Sequence, residues 1–319
     1  MRRMFITVGC VLVSLVACAL KKDPSYRSAR RNGADYRTVL RVVDDGGHAV
    51  SDAKVRVLMG MNFIKSSYFI EGTTDTNGLF TISGRTTGNE IVIDVAKDGY
   101  YGSRREHCLI AMGAEREVRD GRWQPYGAEE ELLLRRIENP VSLPHEWFWV
   151  FRYTMERGRW IGYDILKNDF VGPVGHGDIA DFEVFVEWDG RWMPGEYKGM
   201  KVCIRFPEHF AGFYEYDARS ESEFIFPYHA QTNVEYSQSC EFSERVNPDG
   251  SRVVVEFDRR KCWVVRSRCR VDEKGRLVAA NYSVLSDIAF CCKMDGRIGF
   301  CVTGAFNPTP NDTNLEAKR

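Results

Sequence analysis

Short runs of alternating apolar and polar residues recur between residues 36 and 96, and turns rich in glycine separate them. Alternation with a period of two residues is typical of strands that are buried on one face. The runs cover residues 36–43, 53–58, 79–82 and 90–96. Strands at this spacing predict a small antiparallel β-sandwich, which we place at residues 36–137 together with a linker.

The turn Thr-Asp-Thr-Asn-Gly at residues 74–78 could be a metal loop or only a hairpin turn. Asp75 and Asn77 favour hydrogen bonds to their own backbone, and Gly78 accepts a positive φ angle. An EF-hand needs a longer ladder of oxygen ligands that ends in a glutamate, and residues 79–83 do not provide it. The segment therefore predicts a hairpin turn, with Phe80 entering the core.

Residues 113–137 combine charges, glycines and a proline with one apolar patch, Leu132–Leu134. The patch fits the closing strand of a sandwich about as well as it fits a brief helix, so both remain open. We place the boundary between two domains near residue 138.

From residue 140 onward the chain is aromatic and strand-like, without a long helical period. Alternating or apolar runs cover residues 146–153, 181–188, 201–206, 251–257, 263–265 and 299–302. Turn sequences rich in Asp and Gly separate several of them. The pattern predicts a second antiparallel β domain over residues 138–319.

The N-terminal residues 1–17 have the pattern of an export signal. Arg2 and Arg3 precede an apolar segment, residues 5–16, that is too short to span a bilayer comfortably. Residues 15–18, Leu-Val-Ala-Cys, resemble the bacterial lipobox, which implies that Cys18 carries acyl chains. Each buried methylene would contribute about 0.8 kcal/mol to anchoring. The alternative is an ordinary signal cleaved near Ala19.

The lipobox resemblance implies a protein that is tethered to the outer membrane and faces the periplasm or the exterior. Residues 18–35 are polar and basic, as expected of a tether. Removing residues 1–17 removes two arginines and moves the formal charge from −1 to −3. The chain then has no basic excess, which argues against nucleic acid as a partner.

Ten cysteines are present, and eight remain after Cys10 and Cys18 are set aside. An even number in an oxidising compartment favours structural disulfides over a metal cluster, because no CxxC pair is present. Adjacent cysteines point to opposite faces of a strand, so the neighbours at positions 291 and 292 would pair elsewhere or stay reduced. Besides Cys108, the candidates are Cys203, Cys240, Cys262, Cys269, Cys291, Cys292 and Cys301, and their pairing stays open.

Three segments of the first domain, VVDDGGHAVSDAKVRV, GTTDTNGLFTISG and IVIDVAKDGYY, resemble the carboxypeptidase regulatory-like domain over residues 36–112. The resemblance implies an Ig-like, transthyretin-like sandwich that accompanies catalytic domains and does no catalysis itself. The sequence lacks the H-x-x-E zinc motif. Residues 162–173, 175–182 and 306–316 also look like a pattern found in uncharacterised exported bacterial proteins, which implies no activity.

One cluster of polar residues in the second domain could bind a metal. Carboxylates and an imidazole on a glycine-rich loop could hold calcium or another divalent ion. The alternative, which we favour, is that these residues cap turns by hydrogen-bonding the local backbone. The cluster consists of Asp164, Asp169, His176, Asp178 and Asp181.

All seven tryptophans lie after residue 120. On an exposed sheet face they would stack on sugar rings or contact a partner, and in the interior they would form core, which we favour. Trp192, in a polar context, is the best candidate for ligand contact.

No nucleophile elbow, Walker loop or H-E-x-x-H motif is present. We therefore expect a lipid-anchored, non-catalytic protein of the cell envelope, with a binding or structural role towards a polysaccharide or a protein. The rival hypothesis is a metal-dependent exported hydrolase centred on His176 and its aspartates.

Overall fold

A computed structural model describes residues 24–61, 66–110, 117–146, 152–154, 157–190, 196–219, 221–292 and 298–318. The chain is all-β, as predicted, and folds as two compact units. Unit 1 comprises Met1–Ile137 and Glu221–Phe224, and unit 2 comprises Glu138–Ser220 and Ile225–Arg319. The predicted export signal, Cys18, Trp147, Trp149 and Trp192 lie outside the described residues.

Within the described residues, no helix combines the length and the apolar character needed to cross a bilayer.

The first described element is a helix, α1 (Pro24–Asn32), which lies within the predicted tether, residues 18–35. The sequence analysis did not predict this helix. Ala29 is buried, and the ring of Tyr26 packs edge-on against Trp123 of unit 1 at 6.0 Å. The helix offers only these few apolar positions among arginines, so its periodicity is too short to recognise.

Unit 1 contains two sheets. One has the order β4-β1-β8-β7, with β9 also paired to β1, and the other has the order β3-β2-β5-β6. Strand β9 runs parallel to β1, so the leucine patch forms a closing strand and not a helix. The strands are β1 (Ala34–Val43), β2 (Lys54–Met59), β3 (Tyr68–Thr73), β4 (Leu79–Thr86), β5 (Ile91–Ala96), β6 (Ser103–His107), β7 (Val118–Arg119), β8 (Arg122–Trp123) and β9 (Ala128–Leu133).

The two sheets of unit 1 share one core, which makes the unit a sandwich. Leu40 and Ile82 come from the first sheet, and Val57, Met59 and Ile93 come from the second. All five are fully buried. The alternation seen in the sequence is the alternation between this core and solvent.

Residues 221–224 belong to unit 1 and pair beside β6. The amide of Arg104 donates to the carbonyl of Glu221, at 2.7 Å. The guanidinium of Arg105 donates two hydrogen bonds to the Glu221 carboxylate, at 2.6 and 2.7 Å. The guanidinium of Arg135, which is 2% exposed, donates to the carbonyl of Phe224 at 2.9 Å and lies over its ring.

The hairpin turn predicted at residues 74–78 is confirmed. Oδ1 of Asp75 accepts hydrogen bonds from the amides of Asn77 and Leu79, at 2.9 and 2.8 Å. Gly78 has a φ of +73°, and Phe80 packs against the core of unit 1.

Replacing Gly78 with alanine is expected to destabilise unit 1 through two separate effects. A left-handed φ costs an alanine about 1–2 kcal/mol. A Cβ atom at Gly78 would also lie 2.5 Å from the carbonyl oxygen of Val42, and the displaced backbone adds about 1–3 kcal/mol. Urea denaturation measures the total.

Gly99 provides the matched control, because its φ is +81° but a Cβ atom there would meet nothing within 4 Å. The Gly99→Ala variant should therefore show the φ effect alone. Equal losses of stability in the two variants would mean that the contact with Val42 is unimportant.

Unit 2 also contains two sheets, each of six strands. One has the order β10-β21-β20-β19-β16, with β11 paired to β21, and the other has the order β13-β12-β14-β15-β17-β18. The strands are β10 (His145–Glu146), β11 (Arg152–Thr154), β12 (Trp160–Asp164), β13 (Asp169–Phe170), β14 (Phe182–Asp189), β15 (Gly199–Arg205), β16 (Gly212–Asp217), β17 (Ser239–Val246), β18 (Arg252–Val255), β19 (Lys261–Val271), β20 (Leu277–Cys292) and β21 (Ile298–Asn307).

Aromatic rings from both sheets fill the core of unit 2. The ring of Trp263 stacks on Phe213 at 3.9 Å between ring centroids and meets Phe257 edge-on. Tyr163 stacks on Phe182. For Trp263, the expectation that the tryptophans form core is confirmed.

Residues 312–318 run between two other segments of unit 2. The amide of Leu315 donates to the carbonyl of Tyr228, and the amide of Val141 donates to the carbonyl of Glu316, both at 2.8 Å. The buried carboxylate of Glu316 accepts hydrogen bonds from the amides of Glu138 and Asn139. The polar residues at the end of the 306–316 pattern thus hold the backbone in place.

Candidate functional site

Two of the five predicted metal ligands, Asp164 and Asp181, meet at an arginine. Arg268 donates from Nη2 to Asp164 at 3.0 Å, and from Nε and Nη2 to Asp181 at 2.9 and 3.0 Å. Both aspartates are buried, and the Arg268 side chain is 18% exposed. The guanidinium supplies the positive charge that two buried carboxylates require.

The remaining lone pairs of these two carboxylates bind local donors. Asp164 accepts hydrogen bonds from the amides of Lys167, Asp178 and Ile179, at 2.9–3.1 Å. Asp181 accepts the amide of Ile165 and the hydroxyl of Ser267, at 2.8 and 2.7 Å. The contacts are those of turn and cap residues.

Asp169 and His176 form a separate pair. Oδ2 of Asp169 contacts Nδ1 of His176 at 3.2 Å, and the imidazole is 97% exposed. The Asp178 carboxylate, 73% exposed, lies 3.7 Å from Nζ of Lys167. The five residues are thus divided between an ion pair with Arg268 and two surface contacts.

Across the described part of the chain, no group of three or more His, Cys, Asp or Glu side chains is arranged to hold a metal ion. The calcium site stays a prediction, and the observed contacts belong to the cap-and-turn alternative.

Of the disulfide candidates, Cys203, Cys240 and Cys269 are thiols in this structure. Cys203 faces Glu241 across β15 and β17, so Cys240, one residue away, lies on the opposite face. Burial raises the pKa of Cys240 to about 12 and that of Cys269 to about 11. Both thiols are therefore protonated and unreactive at neutral pH.

For the other disulfide candidates the structure describes only part of the set. Cys262 and Cys301 are buried in β19 and β21. The side chains of Cys291 and Cys292 lie outside what the structure describes.

A cavity of about 1690 Å³ lies at one end of the sheet β14-β15-β17-β18. Register places Trp188, Met200 and Glu244 side by side on three adjacent strands. Because side chains alternate along a strand, these three share the face that packs against the core. The described lining consists of Arg157, Glu187, Trp188, Asp189, Tyr197, Lys198, Gly199, Met200, Lys201, Ser243, Glu244, Arg245, Val246, Asn247, Pro248, Gly250 and Arg252.

Glu244 is held between two donors in this cavity. The Tyr197 hydroxyl donates to Oε2 at 2.9 Å, and Nη1 of Arg252 donates to Oε1 at 2.8 Å. Both oxygens are engaged, so the carboxylate is fixed in position. Such an arrangement suits a positioning or binding role.

The described lining of the cavity carries five basic and three acidic side chains, a formal excess of two positive charges. The whole sequence has a formal charge of −1, so the cavity lining is more positive than the chain as a whole. The guanidinium of Arg157 lies over the Trp188 ring, 4.9 Å from its centroid. Flat aromatic surface and basic groups thus occur together.

The sequence did not single out this set. It drew attention to Trp192, which lies outside the described residues, whereas Trp188 and Met200 are neighbours only across strands. The sole signal along the chain was that Trp188 and Trp192 flank the Asp189-Gly190 turn.

Comparison with known proteins gave structural neighbours only, since no family model and no curated protein matches the chain. The 3-chlorocatechol 1,2-dioxygenase from Rhodococcus opacus 1CP has a TM-score of 0.26 and 15% identity, over 34% of this chain and 62% of that enzyme. The chain thus spans less than two thirds of the dioxygenase.

Two pilins match over longer stretches. The shaft pilin SpaA from Lactobacillus rhamnosus GG, in a mutant form, has a TM-score of 0.20 and 10% identity, over 78% of this chain and 92% of the pilin. The major pilin subunit BcpA of Bacillus cereus has a TM-score of 0.23 and 13% identity, over 88% of this chain and 95% of the pilin.

Proposed function

We propose that the protein is a non-catalytic lipoprotein of the cell envelope that binds an acidic polysaccharide through the cavity of unit 2. The N-terminal lipid at Cys18 anchors the protein to the outer membrane. Unit 1, a sandwich of the carboxypeptidase regulatory-like type, serves as a spacer or docking module. The observation that carries the proposal is the cavity wall around Trp188.

The size of the cavity favours a polymer over a small metabolite. Small-molecule sites usually enclose about 300–1,000 Å³, and this cavity is larger. It also opens at the end of a sheet, where an extended chain can enter and leave. A segment of several sugar units fits such a space.

The chemistry of the wall favours a sugar. The faces of aromatic rings such as Trp188 pack against apolar C–H surfaces, and the hydroxyl of Tyr197 and the basic side chains donate hydrogen bonds to hydroxyl or carboxylate oxygens. Lys198 and Arg245 have no ion-pair partner within the described residues, so their charges are available to a ligand. An acidic glycan matches the positive excess.

Co-sedimentation tests this proposal with protein that begins at residue 19, isolated cell envelope, and insoluble acidic and neutral polysaccharides. We expect saturable binding to the acidic polymer that weakens with salt. Trp188→Ala should raise the dissociation constant about tenfold, as for an aromatic contact at the centre of a site. Trp192→Ala tests the residue favoured by the sequence.

Trp160 is a matched control for Trp188. It lies in the same sheet and also has an arginine over its ring, Arg205 at 4.0 Å, but it does not line the cavity. Trp160→Ala should leave binding unchanged. Equal losses in the two variants would refute the cavity, and binding to envelope but to no polysaccharide would indicate a protein partner.

A further inference from the structure

The outermost strand of one unit 2 sheet, β18, is exposed on both faces. Val253, Val254 and Val255 retain 56%, 50% and 54% of their accessible surface. Edge strands usually have one face on the core, and the exposed valines of β18 are consecutive. Val253 and Val255 lie on one face and Val254 on the other, so β18 exposes apolar side chains on both faces.

The free edge of β18 carries unused backbone hydrogen-bonding groups. In the described part of the chain, β18 pairs only with β17. The amide of Asn247 donates to the carbonyl of Ser251, so odd-numbered residues of β18 point their backbone groups at β17. The backbone groups of Arg252 and Val254 therefore point away from the sheet, and Glu256 would continue this alternation.

Several usual protections of an edge strand are missing from β18. It is short and carries Arg252, but its four residues include no proline and no lysine, and its register with β17 contains no bulge. In unit 1 the edge strand β3 also exposes an apolar side chain, Phe69, but there the guanidinium of Arg56 lies over the ring at 3.8 Å. The valines of β18 have no such cover.

The valines are flanked by one basic and one acidic residue, so two antiparallel copies of this segment would have opposite charges facing each other. The sequence Arg-Val-Val-Val-Glu spans residues 252–256, with Val254 at its centre. If two copies pair antiparallel about Val254, Arg252 of each faces Glu256 of the other, on the same side of the sheet. The residues in register are then Arg252, Val254 and Glu256, whose backbone groups point outward.

We propose that β18 is a self-association edge at which a second copy of this chain adds its own β18 antiparallel, centred on Val254. The pairing joins two six-stranded sheets into one of twelve strands. It is isologous, so it closes as a dimer and does not propagate. The outward backbone groups of three residues from each copy hydrogen-bond across the junction.

Sedimentation velocity over a concentration series tests the association with protein that begins at residue 19. We expect a concentration-dependent dimer for the wild type. In the Glu256→Arg variant, the new arginine of each copy faces Arg252 of the other copy. The two like-charge pairs should weaken the dimer about tenfold. Glu256→Asp keeps the opposite charge, leaves Arg252 and its bond to Glu244 in place, and should retain most of the affinity.

A second measurement tests the register in the full chain. Val254→Cys places two thiols directly opposite in the dimer, within the Cα separation that a disulfide allows, so oxidation should give a covalent dimer on a gel. Ser251→Cys, at an exposed position away from the centre, is the control and should crosslink much less.

A wild-type protein that stays monomeric throughout the series would overturn the proposal. A dimer that Val254→Lys leaves intact would overturn it as well, because the association would then use another surface. If oxidation of Val254→Cys gave no homodimer band, the antiparallel register about Val254 would be wrong and the proposal would fall. None of these readouts depends on polysaccharide binding.

Discussion

The Arg268→Ala variant is expected to lose about 3–5 kcal/mol of the free energy of unfolding of unit 2, as buried ion pairs do when one partner is removed. Asp164 and Asp181 would remain buried with no positive charge beside them. Their backbone donors satisfy some of the oxygens but do not neutralise the charge. Urea denaturation followed by tryptophan fluorescence measures the loss.

Arg260 is the matched control for Arg268. It also pairs with an aspartate in unit 2, Asp258 at 2.8 Å, but its side chain is 88% exposed. Water screens this pair, so Arg260→Ala should leave the denaturation midpoint unchanged. If both variants shifted the midpoint equally, the Arg268 network would not stabilise the fold.

Replacing Trp263 with alanine is expected to cost unit 2 about 3–5 kcal/mol, the range for deleting a large buried aromatic ring. The indole is 2% exposed and stacks between Phe213 and Phe242. Removing it leaves a cavity that rigid strands on both sides cannot close. A lower urea midpoint reports the effect.

The Trp263→Phe variant separates ring packing from hydrogen bonding. Nε1 of Trp263 is buried without a hydrogen-bond partner in the described structure, so phenylalanine forfeits no polar contact. We expect a cost below about 1.5 kcal/mol, as for a conservative core exchange. A loss as large as that of alanine would show that the space left by the smaller ring sets the cost.

The alternating pattern located those strands that have one face in a core and one in solvent. Strands β1 and β2 largely alternate in this way, and the sequence predicted them within two residues of their bounds. Strand β20 was missed because residues 279–286 are buried on both faces, so no alternation is present. Strand β17 was missed because it is largely polar.

The run at residues 251–257 predicted strand β18 but not its place in the sheet. The strand lies beyond β17 at the edge, where nothing in the described structure packs on its valines. The composition of the segment predicted a strand, whereas its position at the edge of the sheet is visible only in the sheet topology.

The candidate sites show the same limit. Asp164 and Asp181 stood out as a cluster of negative charge, but their cation, Arg268, lies 104 residues from Asp164 along the chain. A single sequence gives no sign of that contact. The wall formed by Trp188, Met200 and Glu244 is likewise a product of strand register.

The place of residues 221–224 in unit 1 has a consequence for synthesis. The buried guanidinium of Arg135 obtains its carbonyl partner only when Phe224 has been made, 89 residues later. Unit 1 therefore cannot reach its final state while the chain is still being translated through residues 138–220. Throughout that interval the Arg135 guanidinium lacks this partner, and β6 lacks its pairing with residues 221–224.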